Sequence, residues 1–212
     1  MVVDVILLRH PESTFNVRGL VQGQSKKSVL TDKGRVLSAS ARNYFLNNFG
    51  LFDTLISSDL PRAVQMAREL KPCSKTRHII QMALVREAGR GAFEGTPYSN
   101  ALWKSAHLAL DSNPYQASAP FGMESNMSLF RRVGIFFSMT AKSESKSILA
   151  VTHGEFIKAA ISCVLGMDVE AYSQKIKPNI IIPSCSFTHI AFNGVSWEVL
   201  SVANPIPQVQ EP

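Results

Sequence analysis

Three features of the chain predict an α/β protein: a three-layer α/β/α sandwich with a central, mostly parallel sheet and a C-terminal hairpin. Short apolar runs alternate with segments whose apolar residues recur at helical spacing, several of the runs end in charged or polar residues, and the strong hairpin signal Asn193-Gly194 falls near the end. The 212 residues are 45% hydrophobic and 18% charged, which supports a sizeable core and excludes disordered, collagen-like and disulfide-stapled compositions. Residues 1–212 are therefore read as a single domain with an insertion at about 97–123.

Residues 2–8, VVDVILL, form a β-branched apolar run without a helical stripe, a buried strand that ends at Arg9. After a polar loop rich in Gly and Ser over 18–28, Thr31 can cap a helix with apolar positions Leu37, Ala41, Tyr44 and Phe45 that stops near Gly50. Asp53 to Ser57 reads as a second strand. Pro61 suits the first turn of a helix whose apolar face is Ala63, Met66, Ala67 and Leu70, and Pro72 ends it. His78 to Gln81 is a third strand leading into a Gly-rich stretch from Glu87 to Gly95. Residues 97–123 lack a clean period and carry Pro97, Pro114 and Pro120, so at most short helices are expected there. Leu129, Val133, Phe136, Phe137 and Thr140 fit a helix, and Ile148 to Val151, with Thr152 at the end, a fourth strand. Phe156, Ile157, Ala160, Ile161, Val164 and Leu165 fit a further helix stopped by Gly166. Ser186–Phe192 and Ser196–Val202 flank the hairpin turn, and the tail from Asn204 reads as loose.

Composition narrows the function classes. Arg9 and His10 interrupt the first apolar run, and no other run reaches the roughly 18 residues of a membrane span. The start, MVVDVILLRH, has no basic segment ahead of its apolar stretch and carries Asp4 within it, so a secretory signal is not expected and the cytoplasm is the expected location. Cys73, Cys163 and Cys185 form neither an even set nor a C-x-x-C pair, which argues against disulfides and a cysteine zinc site. A net charge of +6 favours anionic partners, yet the basic pairs are scattered without aromatic interleaving, which points away from nucleic acid.

Ligands of an open parallel sheet bind at the carboxyl ends of its strands. Those ends carry Arg9 and His10, then Arg62 in the first turn of the following helix, then His153-Gly154. Two arginines and two histidines without a recognisable nucleophilic Ser or Cys suit a phosphate, since a guanidinium fork matches phosphoryl oxygens and one histidine can act as nucleophile while the other donates a hydrogen bond. Glu87, just ahead of a Gly-rich turn, is the candidate proton donor.

These segments resemble the histidine phosphatase superfamily, in its phosphoglycerate mutase-like branch. Leu8-Arg9-His10-Pro11-Glu12-Ser13 with Asn16 resembles R-H-G-E-T-x-x-N, and Gln22-Gly23 with Leu30-Thr31-Asp32-Lys33-Gly34 resembles the next block. Ser57-Ser58-Asp59-Leu60-Pro61-Arg62-Ala63-Val64-Gln65 resembles S-S-D-L-x-R-A-x-Q, while Glu87, Gly91, Phe93, Glu94 and Gly95 resemble L-x-E-x-x-x-G-x-W-E-G. Glu124-Ser125 with Arg132 and Val151-Thr152-His153-Gly154 resemble the remaining blocks. The resemblance implies a phosphohistidine mechanism without metal or cofactor: His10 attacks phosphorus, Glu87 protonates the leaving oxygen, and Arg9, Arg62 and His153 hold the phosphoryl oxygens, with Asn16 and Gly154 beside them. It implies a small phosphorylated substrate, with phosphoglycerate mutase-type transfer and a phosphate-binding module with little turnover as alternatives. No nucleic acid and no membrane partner is expected, and a homodimer is the expectation from frequency alone.

Departures from the family pattern are Pro11 where Gly is usual, Lys26 and Lys27 near a usual acid, Met123 between Gly122 and Glu124, and Glu155, a carboxylate expected to raise the pKa of His153 if the two are close. Glu94 reads as a carboxylate bonded to nearby backbone, and Arg132 with Glu124 as a brace. Tyr98, Trp103 and Leu108 are candidates to roof the pocket; His78, His107 and His189 are given no role.

Overall fold

The computed structural model describes residues 2–116 and 119–207. In chain order its elements are β1 (Val3–Arg9), α1 (Thr14–Val17), α2 (Asp32–Asn48), β2 (Thr54–Ser57), α3 (Pro61–Glu69), β3 (Ile79–Gln81), α4 (Ala101–Ser112), α5 (Asn126–Ala141), β4 (Ser147–Thr152), α6 (Gly154–Val164), α7 (Val169–Ala171), β5 (Ser186–Phe192) and β6 (Trp197–Pro205). The sheet runs β3-β2-β4-β1-β5-β6. Its first four strands are parallel, and β5 and β6 add the antiparallel hairpin. This is the expected α/β architecture.

The period of two along β1 divides the core between the sheet's faces. Val3, Val5 and Leu7 pack with the apolar sides of α5 and α6, through Val133, Phe136, Phe156 and Ala160. Ile6 and Leu8 point the other way, into a cluster with Ala41 and Phe45 of α2 and Ala63, Met66 and Ala67 of α3. Burial on both faces is why β1 reads as a continuous apolar run. The flanking helices begin where local chemistry allows: Thr31 accepts a hydrogen bond from the Gly34 amide at 3.0 Å to open α2, and Pro61 occupies the first turn of α3.

Phe45 anchors α2. It is fully buried, its ring centroid 5.5 Å from that of Phe49, 5.9 Å from Phe52 and 5.6 Å from Phe187. Phe45→Ala should lower unfolding free energy by about 3–5 kcal/mol, through lost burial and the cavity left among aromatic rings. Denaturant unfolding checks this, and a loss under about 1 kcal/mol would contradict the packing described.

Two expectations need correction. The insertion carries α4, a helix of 12 residues rather than short pieces, capped by the Asn100 side chain accepting from the Trp103 amide. Its buried residues are Trp103, Ala106 and Leu110, whereas Leu102 and Leu108 on the same helix are exposed and blur the apolar period. Residues 117–118 of the insertion lie outside the described residues. The tail is not loose from Asn204: Asn204 and Pro205 belong to β6, the Asn204 side-chain Nδ2 donates to the Phe187 carbonyl, and Ile206 is buried in the α2–α3 side of the core. The part of that expectation covering 208–212 also lies outside the described residues. Among the described residues, no helix is long and apolar enough to cross a membrane.

Candidate active site

The parallel pairing of β1 with β4 sets Arg9 opposite Thr152, so the next residues, His10 and His153, leave the sheet side by side. Their rings meet edge to face with centroids 5.1 Å apart. Arg62 comes from the first turn of α3, and Glu87 follows a short turn at Ala83–Val85 that Thr152 fixes by donating its hydroxyl to the Val85 carbonyl. Arg9, His10, Asn16, Glu87 and Gly154 line a cleft of about 280 Å³. Arg62 and His153 are buried against His10 rather than on the cleft wall.

Hydrogen bonding assigns the tautomer of His10. Its Nδ1 lies 2.7 Å from the Pro11 carbonyl oxygen, which can only accept, so Nδ1 carries the proton. Nε2 then holds a lone pair, which accepts from Arg62 Nε at 3.1 Å. Burial, then the charges of Arg62 and Arg9, hold the His10 pKa well below its ordinary value, so the ring is neutral. Pro11 thus offers no N–H but supplies the carbonyl that orients the ring.

Arg62 is anchored through Nη2 to the Gly23 carbonyl at 2.8 Å and Nη1 to the Ser25 carbonyl at 3.3 Å. Burial draws its pKa down to about 10, which leaves it charged at neutral pH. Gly23 is required here: its φ is +47°, and a Cβ would lie 2.3 Å from Glu94 Oε1 and 2.9 Å from the Arg90 backbone nitrogen. Arg9 donates through Nη1 to the Ile182 carbonyl, and its Nε is buried without a partner among the described residues. Both ring nitrogens of His153 are likewise buried and without a partner among the described residues. Asn16 uses its carboxamide oxygen to accept from the Ser13 amide and hydroxyl.

Glu155 does not act on His153 as expected. The His153 pKa is held well below its ordinary value by burial, then by Arg62, His10, Arg9 and Arg132. The Glu155 carboxylate accepts from Tyr172 Oη at 2.8 Å and lies 3.2 Å from Lys158 Nζ, while its backbone N–H donates to Glu87 Oε1 at 3.1 Å. Glu94 is a backbone brace, its Oε1 accepting from the Gln24 and Arg90 amides, and Arg132 pairs with Glu124 through two nitrogens at 2.7 and 2.8 Å. Met123 packs with Val21, Phe93 and Trp103 beside the cleft.

Tyr98 and Trp103 line the cleft as expected, but Leu108 is exposed and takes no part. His107, given no role from sequence, stands in the cleft wall, its ring 4.7 Å from that of Trp103 and its Nδ1 3.3 Å from Asp111. Arg90 and Lys158 also line it and were missed. No local pattern marks them; they meet only because α4, α6 and the turn after Glu87 converge. Among the described residues, no group of His, Cys, Asp and Glu is arranged to hold a metal ion.

Compared with known proteins, residues 5–205 match the pattern of the histidine phosphatase superfamily (branch 1). A probable 2-carboxy-D-arabinitol-1-phosphatase of Arabidopsis thaliana is 26% identical over 208 residues, 96% of this chain and 42% of that protein. The chain spans about two fifths of the length of the two 2-carboxy-D-arabinitol-1-phosphatases it matches, from Arabidopsis thaliana and Triticum aestivum. A 2,3-bisphosphoglycerate-dependent phosphoglycerate mutase of Thermoplasma acidophilum is 30% identical, with 81% of this chain and 82% of that protein covered. The solved structure of a mycobacterial glucosyl-3-phosphoglycerate phosphatase shares the fold, with a TM-score of 0.79 at 21% identity over 96% of this chain and 100% of the other.

Proposed function

The chain belongs to the histidine phosphatase superfamily (branch 1), and from that premise we propose that it hydrolyses small phosphomonoesters, without metal or cofactor, through a phosphohistidine at His10. The observation that carries this reading is the neutral His10 ring, its Nε2 lone pair beside the Arg62 guanidinium in the cleft that Glu87 lines. As the phosphoryl group enters, the Arg62 Nε–H turns from Nε2 to a phosphoryl oxygen, and the freed Nε2 lone pair attacks phosphorus as the ester P–O bond breaks, while Glu87 gives its proton to the departing alkoxide. Water then attacks the phosphohistidine, losing its proton to Glu87 as the P–N bond breaks and the electron pair returns to Nε2. Arg9, Arg62 and His153 stabilise the charge that spreads over the phosphoryl oxygens, with Asn16 and the Gly154 end of α6 beside them.

The test is phosphate release from an aryl phosphate in EDTA, which should persist; dependence on added metal would overturn the reading. The similarity to a mutase gives the competing reading, return of the phosphoryl group to a second alcohol, and a requirement for a bisphosphoglycerate primer would select it.

Arg90 bears on substrate. Its side chain is 8% exposed, lies 3.9 Å from Glu155 and 5.7 Å from the Trp103 ring centre, and makes no side-chain hydrogen bond among the described residues. A guanidinium left with free donors in the cleft favours esters whose alcohol carries an acid, a feature also present in the names of several relatives. Carboxyalkyl phosphates should therefore exceed matched alkyl phosphates in kcat/KM by about tenfold or more, the scale of an ionic hydrogen bond, and Arg90→Met should collapse that ratio toward one. Equal rates in the wild-type protein would remove the acid-reading role.

A further inference from the structure

Glu87 and Glu155 are half-buried carboxylic residues joined through the Glu155 backbone N–H, and their side chains have unequal partners. Glu155 is surrounded by cations and a donor: Tyr172 Oη at 2.8 Å, Lys158 Nζ at 3.2 Å and Arg90 Nη2 at 3.9 Å. Lys158 is itself fixed by donating to the Lys177 carbonyl at 2.9 Å, and Lys177 pairs with Asp111, which in turn faces His107. Glu87 has no such cage. Its Oε1 accepts from the backbone amides of Ala88 at 2.9 Å and Glu155 at 3.1 Å, and its Oε2 has only a long 3.5 Å approach from that same Glu155 amide.

Desolvation and the charge of Glu155 both disfavour ionised Glu87, so the negative charge settles where the cations are and the proton where they are not. Two amides directed at Oε1 make it the acceptor oxygen, which leaves Oε2 to carry the proton. We propose that Glu155 is a positioning residue for proton donation: its caged negative charge keeps Glu87 protonated, while its backbone N–H orients the Glu87 carboxyl so that Oε2 presents the proton to the leaving oxygen. This rests on the phosphatase reading for its chemical consequence, but the proton's location can be read without turnover.

Other groups facing Glu87 oppose or accompany this effect. Arg90 from the following turn and Arg62 from α3 favour its ionised form, whereas burial and Glu155 favour the protonated one and prevail. Tyr98 in the cleft wall and Tyr172 beside Glu155 are held above the ordinary tyrosine value, with burial as the largest cause, so both stay neutral. For Glu155, burial opposes ionisation, but Lys177, Lys158, Arg90 and the Tyr172 hydrogen bond outweigh it and hold the carboxyl below its usual range. On α5, Arg132 reaches the Glu87 backbone carbonyl at 3.4 Å rather than its side chain.

The direct test is difference infrared spectroscopy of the full chain across pH, following the protonated carboxyl band that Glu87→Gln removes. That band should be present at neutral pH in the wild-type protein, and its midpoint should fall in Glu155→Gln while Glu155→Asp, which keeps the charge, recovers the shift at least in part. Absence of the band at neutral pH, or an unchanged midpoint in folded Glu155→Gln, overturns the proposal. Should Glu155→Gln fail to fold, the wild-type band and the Glu155→Asp midpoint decide. A kinetic readout separates the two readings: the basic limb of kcat/KM should move to lower pH in Glu155→Gln, with a larger loss on alkyl than on nitrophenyl phosphate. No hydrolysis by the wild-type protein, with the infrared shift intact, would sink the phosphatase reading and leave the Glu155 effect standing.

Discussion

His10→Ala is expected to lower phosphate release on the order of 10⁴-fold or more, because it deletes the atom that forms the P–N bond rather than a group that assists it. The substitution leaves the rest of the phosphate cradle supported. Arg62 keeps its bonds to the Gly23 and Ser25 carbonyls, Arg9 its bond to the Ile182 carbonyl, and His153 its place after β4. Inorganic phosphate or vanadate should therefore still raise the thermal midpoint of the variant while turnover vanishes. Rapid acid-free quenching of the wild-type protein with labelled substrate should trap label that is stable in base and labile in acid, as a phosphohistidine is, and none in His10→Ala. Turnover surviving in the variant would rule out His10 as nucleophile.

Glu87→Gln should show its effect through the leaving group. Alkyl phosphates release a basic alkoxide that needs a proton, so their rates should fall on the order of 10²–10⁴-fold, the usual range for a lost general acid. Nitrophenyl phosphate releases an anion that is stable without one, so its first step should be affected far less. The second step still lacks the base that activates water, so the phosphohistidine should accumulate and a burst of nitrophenol should precede slow turnover. The pH profile gives a second signature. A proton donor works only while protonated, so wild-type activity should decline as pH rises through the elevated Glu87 pKa, a position set by burial first and Glu155 second. That decline should disappear in Glu87→Gln. The acid side answers to His10, whose pKa is lowered, so protonation of the nucleophile should cost activity only well below its ordinary value. Equal losses on alkyl and nitrophenyl esters would show that Glu87 is not the donor.

Much of this arrangement could be read from sequence because it is written in local patterns. The apolar run before Arg9, the Thr31 cap, Pro61 in the first turn of α3 and Asn193-Gly194 each act over a few residues, and each lies where the structure has it. The strand-end rule then placed Arg9, His10 and His153 side by side at one end of the sheet, since adjacent parallel strands deliver the residues after them to the same side. Helix α4 escaped because Leu102 and Leu108 face solvent, and periodicity cannot separate an exposed apolar residue from a buried one. The end of β6 escaped because its support, the Asn204 bond to Phe187 and the burial of Ile206, comes from segments distant in the chain.

Local patterns along the chain suffice for the α/β class, the order of the six strands, and the histidines and arginines at the strand ends. What those residues experience depends on contacts made across the fold. The departure at Glu155 pointed by adjacency to His153, yet the carboxylate turns to Tyr172 and Lys158 and its amide holds Glu87, 68 residues away in sequence. The tautomer of His10, the unpartnered nitrogens of His153 and the place of Arg90 and His107 in the cleft wall are of the same kind. Charge, proton and hydrogen-bond partners are set by through-space distance and burial, and a linear pattern carries those only where neighbours in space are also neighbours in the chain.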